Sequence, residues 1–285
     1  MVARMTVHDS LLPDRLCFVG GGNMARSLIG ALIRRGADAS TLSVAEPRAD
    51  ARDELAREFG VRAFADNTDA IAGAACVLLA IKPQMMRAVC AQLAEPLRAA
   101  RPLLISIAAG IRIEQMERWL GAHLAIVRCM PNTPALIGAG ATGLCANARV
   151  GASQRVLAER ILGAAGIVRW VEDEARMDVV TALSGSGPAY FFLLVEAMED
   201  AAVSLGLARE AARALAVQTC LGAGRMLAEG DEPAARLRAR VTSPHGTTEA
   251  ALHAFADGGF HALVARAMKA AERRGGELSA ALDES

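Results

Sequence analysis

Short apolar runs alternate with longer amphipathic runs from Arg15 to about Trp170, and this alternation limits the fold more than any other feature of the chain. Two of the longer runs end at Gly36 and Gly60, as helices commonly do. The short runs suit strands that are buried on both faces; they are RLCFVG, LSVAE, CVLLAI, PLLISIA and LAIVRCM. Such strands alternating with helices predict a Rossmann-type, doubly wound parallel sheet.

The strand pattern stops near Glu172. We therefore expect a dinucleotide-binding domain over residues 1–171 and an all-helical domain over residues 172–285. The second region is rich in Ala, Leu and Arg with apolar residues at helical spacing, and its periodic stretches are 174–184, 187–205, 208–229 and 247–281, the last broken at Asp257-Gly258-Gly259.

Composition excludes several classes of protein. Apolar residues make up 53% and charged residues 22% of the 285 positions, which is typical of a globular chain and not of a disordered one. Lys and Arg together number 31, as do Asp and Glu. This balance disfavours a general binder of nucleic acid or of anionic membranes, because such proteins usually carry a basic excess.

The six cysteines lack the paired spacing of a metal site, so we expect buried free thiols and no metal centre. The N-terminus lacks the apolar core and cleavage site of a signal peptide, and we expect no apolar run of membrane-spanning length. Together these features predict a cytoplasmic protein.

The segment FVGGGNMA follows the first predicted strand and opens a helix. Gly20, Gly22 and Ala25 form a G-x-G-x-x-A pattern, in which the first glycine permits a tight turn, the second admits a pyrophosphate and the small third residue lets the helix pack closely. Because this pattern lies between a strand and a helix, it predicts dinucleotide binding.

The residues after the next strands suggest further cofactor contacts. Glu46 lies where an acidic residue binds the 2′-hydroxyl of NAD, whereas Arg48 could pair with the 2′-phosphate of NADP, and the sequence leaves both readings open. Asn67 is either an adenosine contact or a helix cap. Lys82 and Pro83 follow a further strand, and Lys82 is one of only two lysines in the chain.

The segment MPNTPA follows the sixth predicted strand, so we expect it, like Lys82 and Pro83, at the carboxyl end of a strand beside the cofactor. Its two prolines favour an extended turn, which leaves Asn132 and Thr133 as hydrogen-bonding groups beside the cofactor.

Residues 241–255, VTSPHGTTEAALHAF, run from small and hydroxylated residues straight into a helix. No strand precedes them, so this is not the usual phosphate loop. A helix that starts in this way presents free N–H groups and hydroxyls together, which predicts an anion site.

Six motifs resemble, in order, those of the pyrroline-5-carboxylate reductase family over about residues 15–280; they are FVGGGNMA, AIKPQ, SIAAG, MPNTPA, TALSGSGPAY and SPHGTTEAAL. The resemblance implies reduction of 1-pyrroline-5-carboxylate to L-proline, the last step of proline biosynthesis, by NADPH, with NADH as the second candidate. It also implies a C-terminal dimerisation domain, a homodimer and larger assemblies such as a decamer of five dimers.

The resemblance also implies roles for individual residues. The substrate carboxylate would be held by the backbone N–H groups of Thr247 and Thr248 and by the Ser243 hydroxyl, with Gly246 in the same loop, and the Thr248 hydroxyl would bond the ring nitrogen. The chain departs from the family at His245, where a second glycine is usual. Further cofactor contacts implied by the motifs are Asn23, Met24, Ala80, Ala108 and Gly110.

Three alternatives remain at this point. A β-hydroxyacid dehydrogenase is disfavoured, because such enzymes use a lysine on the long helix, and residues 184–202 contain none. A reductase of another cyclic imine differs by little more than a methylene. A dinucleotide-sensing protein without turnover would need no anion site in its helical domain.

Overall fold

A computed structural model describes residue 12, residues 15–121 and residues 123–284. Eight strands form one sheet in the order β3-β2-β1-β4-β5-β6-β7-β8. The strands are β1 Leu16–Val19, β2 Leu42–Ala45, β3 Arg62–Phe64, β4 Cys76–Leu79, β5 Leu103–Ser106, β6 Ile126–Met130, β7 Gly140–Ala146 and β8 Gly166–Trp170.

Seven α-helices belong to the sheet region and five to the C-terminal region. The first group is α1 Asn23–Arg34, α2 Ala49–Phe59, α3 Asn67–Ile71, α4 Met86–Ala100, α5 Ile113–Leu120, α6 Ala152–Gly163 and α7 Met177–Val180. The second group is α8 Gly187–Ser204, α9 Arg209–Glu229, α10 Ala234–Arg240, α11 Thr247–Asp257 and α12 Phe260–Glu284. A π-helical turn, Thr181–Gly185, follows α7.

The Rossmann-type sheet and the helical C-terminal region confirm the predicted fold class. Strands β1 to β6 are parallel, but β7 pairs antiparallel with β6, and β8 runs parallel to β7. The reversal follows from the connection between β6 and β7, whose only helical structure is a short 3₁₀ turn at Thr133–Ile137. A return to a parallel strand needs a longer crossover.

The sheet is covered by apolar side chains on both faces. Phe18 in β1 and Leu78 in β4 belong to one buried cluster. Their sequence neighbours in the same strands, Val19 and Val77, belong to the other. Adjacent residues of a strand point to opposite faces, so β1 and β4 are apolar throughout because both of their faces are buried.

The chain divides into two compact units. The first contains the described residues up to Gly185 together with those from Ala271 onward, and the second is Ser186–Ala270. The predicted domain boundary between residues 171 and 172 lies just after β8. Residues 172–185 belong to the same compact unit as the sheet.

The second unit buries very little of its apolar surface. All of residues 186–270 are described, and only Gly187, Ala212 and Ala216 are buried. Phe191 and Phe192 are 61% and 68% exposed. A helix that is apolar on all sides requires burial by other protein or by lipid.

One expectation about apolar runs is wrong. The continuous helical stretch Glu174–Ser204 has 31 residues, a window mean hydropathy of 1.3 and 11% burial, so by length and composition alone it is apolar enough to cross a bilayer. A search for continuous apolar runs misses it because polar residues such as Thr181, Ser184 and Glu196 interrupt the stretch, although its mean hydropathy is high.

A buried ion pair joins β6 to the segment that precedes α7. The Arg128 guanidinium, whose side chain is 4% exposed, donates to Glu174 Oε1 at 3.0 Å and lies 3.6 Å from Asp178 Oδ1. Glu174 Oε1 also accepts from the Ile113 N–H at 2.8 Å. Removing one partner of such a pair leaves an uncompensated buried charge.

Glu174→Ala is therefore expected to lower the free energy of unfolding by about 1–3 kcal/mol, because the buried Arg128 guanidinium loses its nearer carboxylate and keeps only Asp178 at 3.6 Å. Urea denaturation at fixed protein concentration measures this loss. Glu95→Ala is the matched control, since Glu95 pairs with Arg98 at the surface, and its loss should stay below about 0.5 kcal/mol. Equal unfolding midpoints for the two variants would contradict this account of the ion pair.

Candidate functional site

The residues predicted to bind a cofactor follow the carboxyl ends of β1 to β6. These six strands are parallel, so their carboxyl ends lie along one edge of the sheet. The strand order reverses between β1 and β4, which is where doubly wound folds hold their ligand.

Three consecutive glycines shape the turn between β1 and α1. Gly20 has φ +100°, and a Cβ there would lie 2.6 Å from the Ala80 carbonyl oxygen. A Cβ on Gly21 would lie 2.6 Å from Leu55 Cδ1, whereas one on Gly22 meets nothing within 4 Å. Gly20 and Gly21 are therefore required by the fold, while Gly22 faces open space.

The N-terminus of α1 is suited to an anion. Gly22 is its N-cap, no side chain caps the helix, and no acidic residue lies in its first turn. Ala25 is fully buried, as close packing of the helix on the strand requires, whereas Asn23 is exposed and Met24 is half-buried. The first N–H groups of α1 thus remain available for a phosphate.

Glu46 is turned into the protein. Its side chain is 10% exposed, and its carboxylate accepts from the Gly21 N–H at 3.3 Å and from the Arg48 N–H at 3.1 Å. Arg48 Nε lies 3.3 Å from the same carboxylate, although the Arg48 side chain is 67% exposed. The nearby Arg52 guanidinium donates to the carbonyls of Glu46 and Pro47. The carboxylate is thus engaged inside the turn, and the exposed charge at the end of β2 is cationic.

Asn67 does not cap α3, so that alternative reading is wrong. Asp66 is the N-cap, and its carboxylate accepts from the Thr68 and Asp69 N–H groups. Asn67 is the first helical residue, and its side-chain amide donates to Gln92 Oε1 at 2.9 Å. Its predicted adenosine contact stays a prediction.

The ends of β4 and β5 provide the next cofactor candidates. Lys82 is exposed, and Pro83 starts a 3₁₀ turn directly after it, while Ala80 donates its N–H to the Val19 carbonyl. After β5, Ala108 is 3% exposed and Gly110 has φ +77°.

Asn132 follows β6, and both the oxygen and the nitrogen of its side-chain amide form hydrogen bonds within the fold. Its Oδ1 accepts from the Ala141 N–H and its Nδ2 donates to the Ser184 carbonyl, both at 2.9 Å. The side chain is therefore engaged by backbone groups, and a direct cofactor contact from it stays a prediction.

In the second unit, Ser243 to Gly246 form a β-turn that leads into α11. The Gly246 N–H donates to the Ser243 carbonyl at 3.0 Å, Pro244 is the second residue, and His245 has φ +60°. Proline followed by a positive φ is the signature of a type II turn, where glycine is preferred at the third position. His245 therefore adopts the backbone conformation in which glycine is least strained.

The start of α11, like that of α1, has no side-chain cap. Gly246 is its N-cap, and a Cβ there would lie 2.4 Å from Ser243 Oγ, so the hydroxyl lies directly over the helix start. Thr247 and Thr248 are the first two helical residues. Glu249 also lies in this turn, and its carboxylate accepts from the His245 N–H at 2.7 Å.

The cysteines do not contribute reactive groups to the site. As predicted, Cys17, Cys76, Cys90, Cys129 and Cys145 are buried free thiols, and a sixth, Cys220, is half-buried. Burial raises the pKa of Cys17 to about 11 and the pKa of Cys90 to about 12. These thiols stay protonated near neutral pH and are poor nucleophiles. Within residues 15–121 and 123–284, no three His, Cys, Asp or Glu side chains form a metal-binding group.

Two family models match the chain. Residues 174–278 match pyrroline-5-carboxylate reductase dimerisation, and residues 15–110 match the coenzyme F420-dependent NADP oxidoreductase family. The curated pyrroline-5-carboxylate reductase of Pseudomonas aeruginosa is 51% identical over 93% of this chain and 97% of its own length. The chain belongs to the pyrroline-5-carboxylate reductase family.

Other relatives agree with this assignment. The pyrroline-5-carboxylate reductase of Synechocystis is 41% identical over 93% of this chain and 98% of its own length. The solved structure of the Coxiella burnetii enzyme has a TM-score of 0.91 and 43% identity, covering 93% of this chain and 98% of that one. A Plasmodium falciparum pyrroline carboxylate reductase, solved with NADP bound, has a TM-score of 0.80 and 29% identity, covering 94% and 98%.

Gly22→Val is expected to raise the Kd for NADPH roughly 100-fold, because its side chain enters the open space at the start of α1 and costs one or two charge-assisted hydrogen bonds. Fluorescence titration of NADPH measures this Kd. Gly163→Val is the control, since Gly163 also has open space around its Cβ but ends α6. Unchanged NADPH binding by Gly22→Val would remove Gly22 from the phosphate site.

Proposed function

We propose that the chain is a pyrroline-5-carboxylate reductase, which reduces the C=N bond of 1-pyrroline-5-carboxylate to give L-proline. One observation carries the proposal: the match to a curated reductase covers 93% of the chain, and it includes the glycine turn before α1 and the uncapped start of α11. One start suits the phosphates of a dinucleotide and the other suits the substrate carboxylate.

The residues at the carboxyl edge of the sheet fit a nicotinamide dinucleotide. The open space at Gly22 and the uncapped first turn of α1 would admit the pyrophosphate. When bound, the dinucleotide supplies a hydride. The remaining candidates along the same edge are Gly20, Asn23, Met24, Ala25, Glu46, Arg48, Asn67, Ala80, Lys82, Pro83, Ala108 and Gly110, together with Asn132 through the backbone that its side chain holds.

The start of α11 is the proposed substrate site. The N–H groups of Thr247 and Thr248 and the Ser243 hydroxyl hold the carboxylate, and the absence of a cap leaves the first turn of α11 open to it. Gly246 keeps the turn narrow, because any Cβ there would collide with Ser243 Oγ.

The reaction needs little acid–base catalysis from the protein. The imine carbon accepts a hydride with its electron pair and becomes C5 of proline, while the ring nitrogen takes up one proton. An imine nitrogen can be protonated from solution near neutral pH, so positioning is the main contribution of the protein. We assign the Thr248 hydroxyl to the hydrogen bond with the ring nitrogen.

Thr248→Ala is expected to lower kcat about 10- to 100-fold, because one hydrogen bond to a charged nitrogen is lost. NAD(P)H oxidation at 340 nm with 1-pyrroline-5-carboxylate measures the rate, and NADPH titration should give an unchanged Kd. Thr248→Ser keeps the hydroxyl and should recover most of the activity. A parental chain without turnover would refute the proposed function, whereas equal rates for parent and Thr248→Ala would refute only the role of Thr248.

We further propose NADPH as the preferred donor. The Glu46 carboxylate accepts hydrogen bonds inside the turn, so it is a poor partner for a 2′-hydroxyl. The Arg48 guanidinium is largely exposed beside it and suits a 2′-phosphate.

Arg48→Ala is expected to raise the KM for NADPH about 10- to 100-fold, the cost of a lost charge-assisted hydrogen bond, while the KM for NADH changes by less than about 3-fold. Initial rates with each donor give both constants. Arg57→Ala removes an arginine from the last turn of α2 and is the control. Equal increases for both donors, or a parental chain that prefers NADH, would contradict the proposal.

We propose a homodimer in which residues 186–270 of two copies cover each other. The exposed apolar side chains of α8 support this arrangement, as does the match of residues 174–278 to a dimerisation family. A second copy that covers the helical stretch Glu174–Ser204 would bury its apolar side chains, so the stretch would not need a bilayer for burial. On the family resemblance we propose assembly into a decamer of five dimers, a cytoplasmic location, and no binding of nucleic acid or membranes.

A further inference from the structure

The side-chain amide of Asn132 links two backbone groups that are distant in sequence. It accepts from the N–H of Ala141, at the start of β7, and donates to the carbonyl of Ser184, in the π-helical turn. Asn132 is only 9% exposed. Both ends of one amide are therefore used to hold the chain on either side of β6.

The Ser184 carbonyl needs this donor because of a proline. An α-helical carbonyl accepts from the N–H four residues later, which here is Pro188 and has no N–H. A π-helical carbonyl accepts from the N–H five residues later, and that of Ala189 donates to the Ser186 carbonyl instead. Leaving this part-buried carbonyl without a donor would be unfavourable. Asn132 Nδ2 supplies the donor that the helix itself lacks.

The linked segment lies at the carboxyl end of β6. A Cβ on Gly185 would lie 2.6 Å from Met130 Cε, so the backbone after Ser184 packs tightly against the last residue of that strand. In doubly wound folds each half of the sheet holds one nucleotide. Arg48 and the 2′-phosphate are assigned to the half of the sheet that contains β2. The nicotinamide therefore belongs to the other half, which β4, β5 and β6 form.

We propose that Asn132 is a positioning residue for hydride transfer: by holding the Ser184 carbonyl it fixes the Ser184–Gly185 backbone as a wall of the nicotinamide site. This role rests on the proposed function. The side chain acts through the backbone that it orders and not as a ligand of the cofactor.

Asn132→Asp tests this role, because the substitution keeps the shape and the acceptor for Ala141 but places an oxygen against the Ser184 carbonyl. We expect kcat to fall about 10- to 100-fold, as for a displacement of about 1 Å in a reacting group. The Kd for NADPH should change by less than about 3-fold, and the kinetic isotope effect with 4-deuterated NADPH should rise, because hydride transfer becomes more fully rate-limiting.

The control is the same substitution at Asn147, which links backbone groups at the opposite end of β6. Its Nδ2 donates to the Leu124 carbonyl at 2.9 Å and its Oδ1 accepts from the Ile126 N–H at 3.2 Å. Asn147→Asp should lower the unfolding temperature to a similar degree while kcat stays within about 2-fold of the parent, since it lies away from the carboxyl edge. If Asn132→Asp does not fold, Asn132→Ser carries the test, because its hydroxyl can replace only one of the two hydrogen bonds.

The possible results separate the two proposals. An inactive parental chain overturns the proposed function and this role with it. An active parent whose kcat falls equally in the Asn132 and Asn147 variants overturns the positioning role alone, because a general loss of stability would then explain both. A weaker Kd for NADPH with unchanged kcat would make Asn132 a cofactor ligand and would also overturn it.

Discussion

The parallel direction of β1 to β6 is the constraint on which the rest of the first unit depends. It brings the residues after six strands to one edge, although they are spread from Gly20 to Asn132 in the sequence. The strands can be parallel only because helices return the chain across both faces, and this in turn makes the strands apolar throughout. The polar groups are left to the loops, where Glu46 and Asn132 hold backbone segments in place while Gly22 and Arg48 remain open to a ligand.

The second unit follows a different principle. Helix α8 carries many large apolar side chains, yet almost none of residues 186–270 is buried. The first unit has its own two apolar clusters, whereas many large apolar side chains of the second are exposed in the single chain. For such a chain, stability and association are parts of one equilibrium. The proposed substrate loop is thus carried by a unit whose folding we expect to depend on a second copy.

Much of the first unit could be predicted because its signals are local. The apolar runs predicted β1, β2, β4, β5 and β6, and the glycine spacing predicted the turn before α1. Strand β7, GATGLCA, was missed because its small residues carry a weak apolar pattern, and β8 because it is a half-exposed edge strand. Helix α10 has seven residues and was too short for its periodicity to register. The backbone at Gly21 packs closely against Leu55, which is 34 positions away, and Asn132 donates to Ser184, which is 52 positions away. No local sequence pattern indicates such pairs.

Isotopic labelling tests most directly whether this chain transfers a hydride to a cyclic imine. The purified chain is incubated with 1-pyrroline-5-carboxylate and NADPH that carries deuterium on the transferred position of C4, and the product is analysed by mass spectrometry and NMR. The account predicts L-proline with one deuterium, located at C5. L-Proline without deuterium, or no L-proline from a folded chain that binds NADPH, would contradict it.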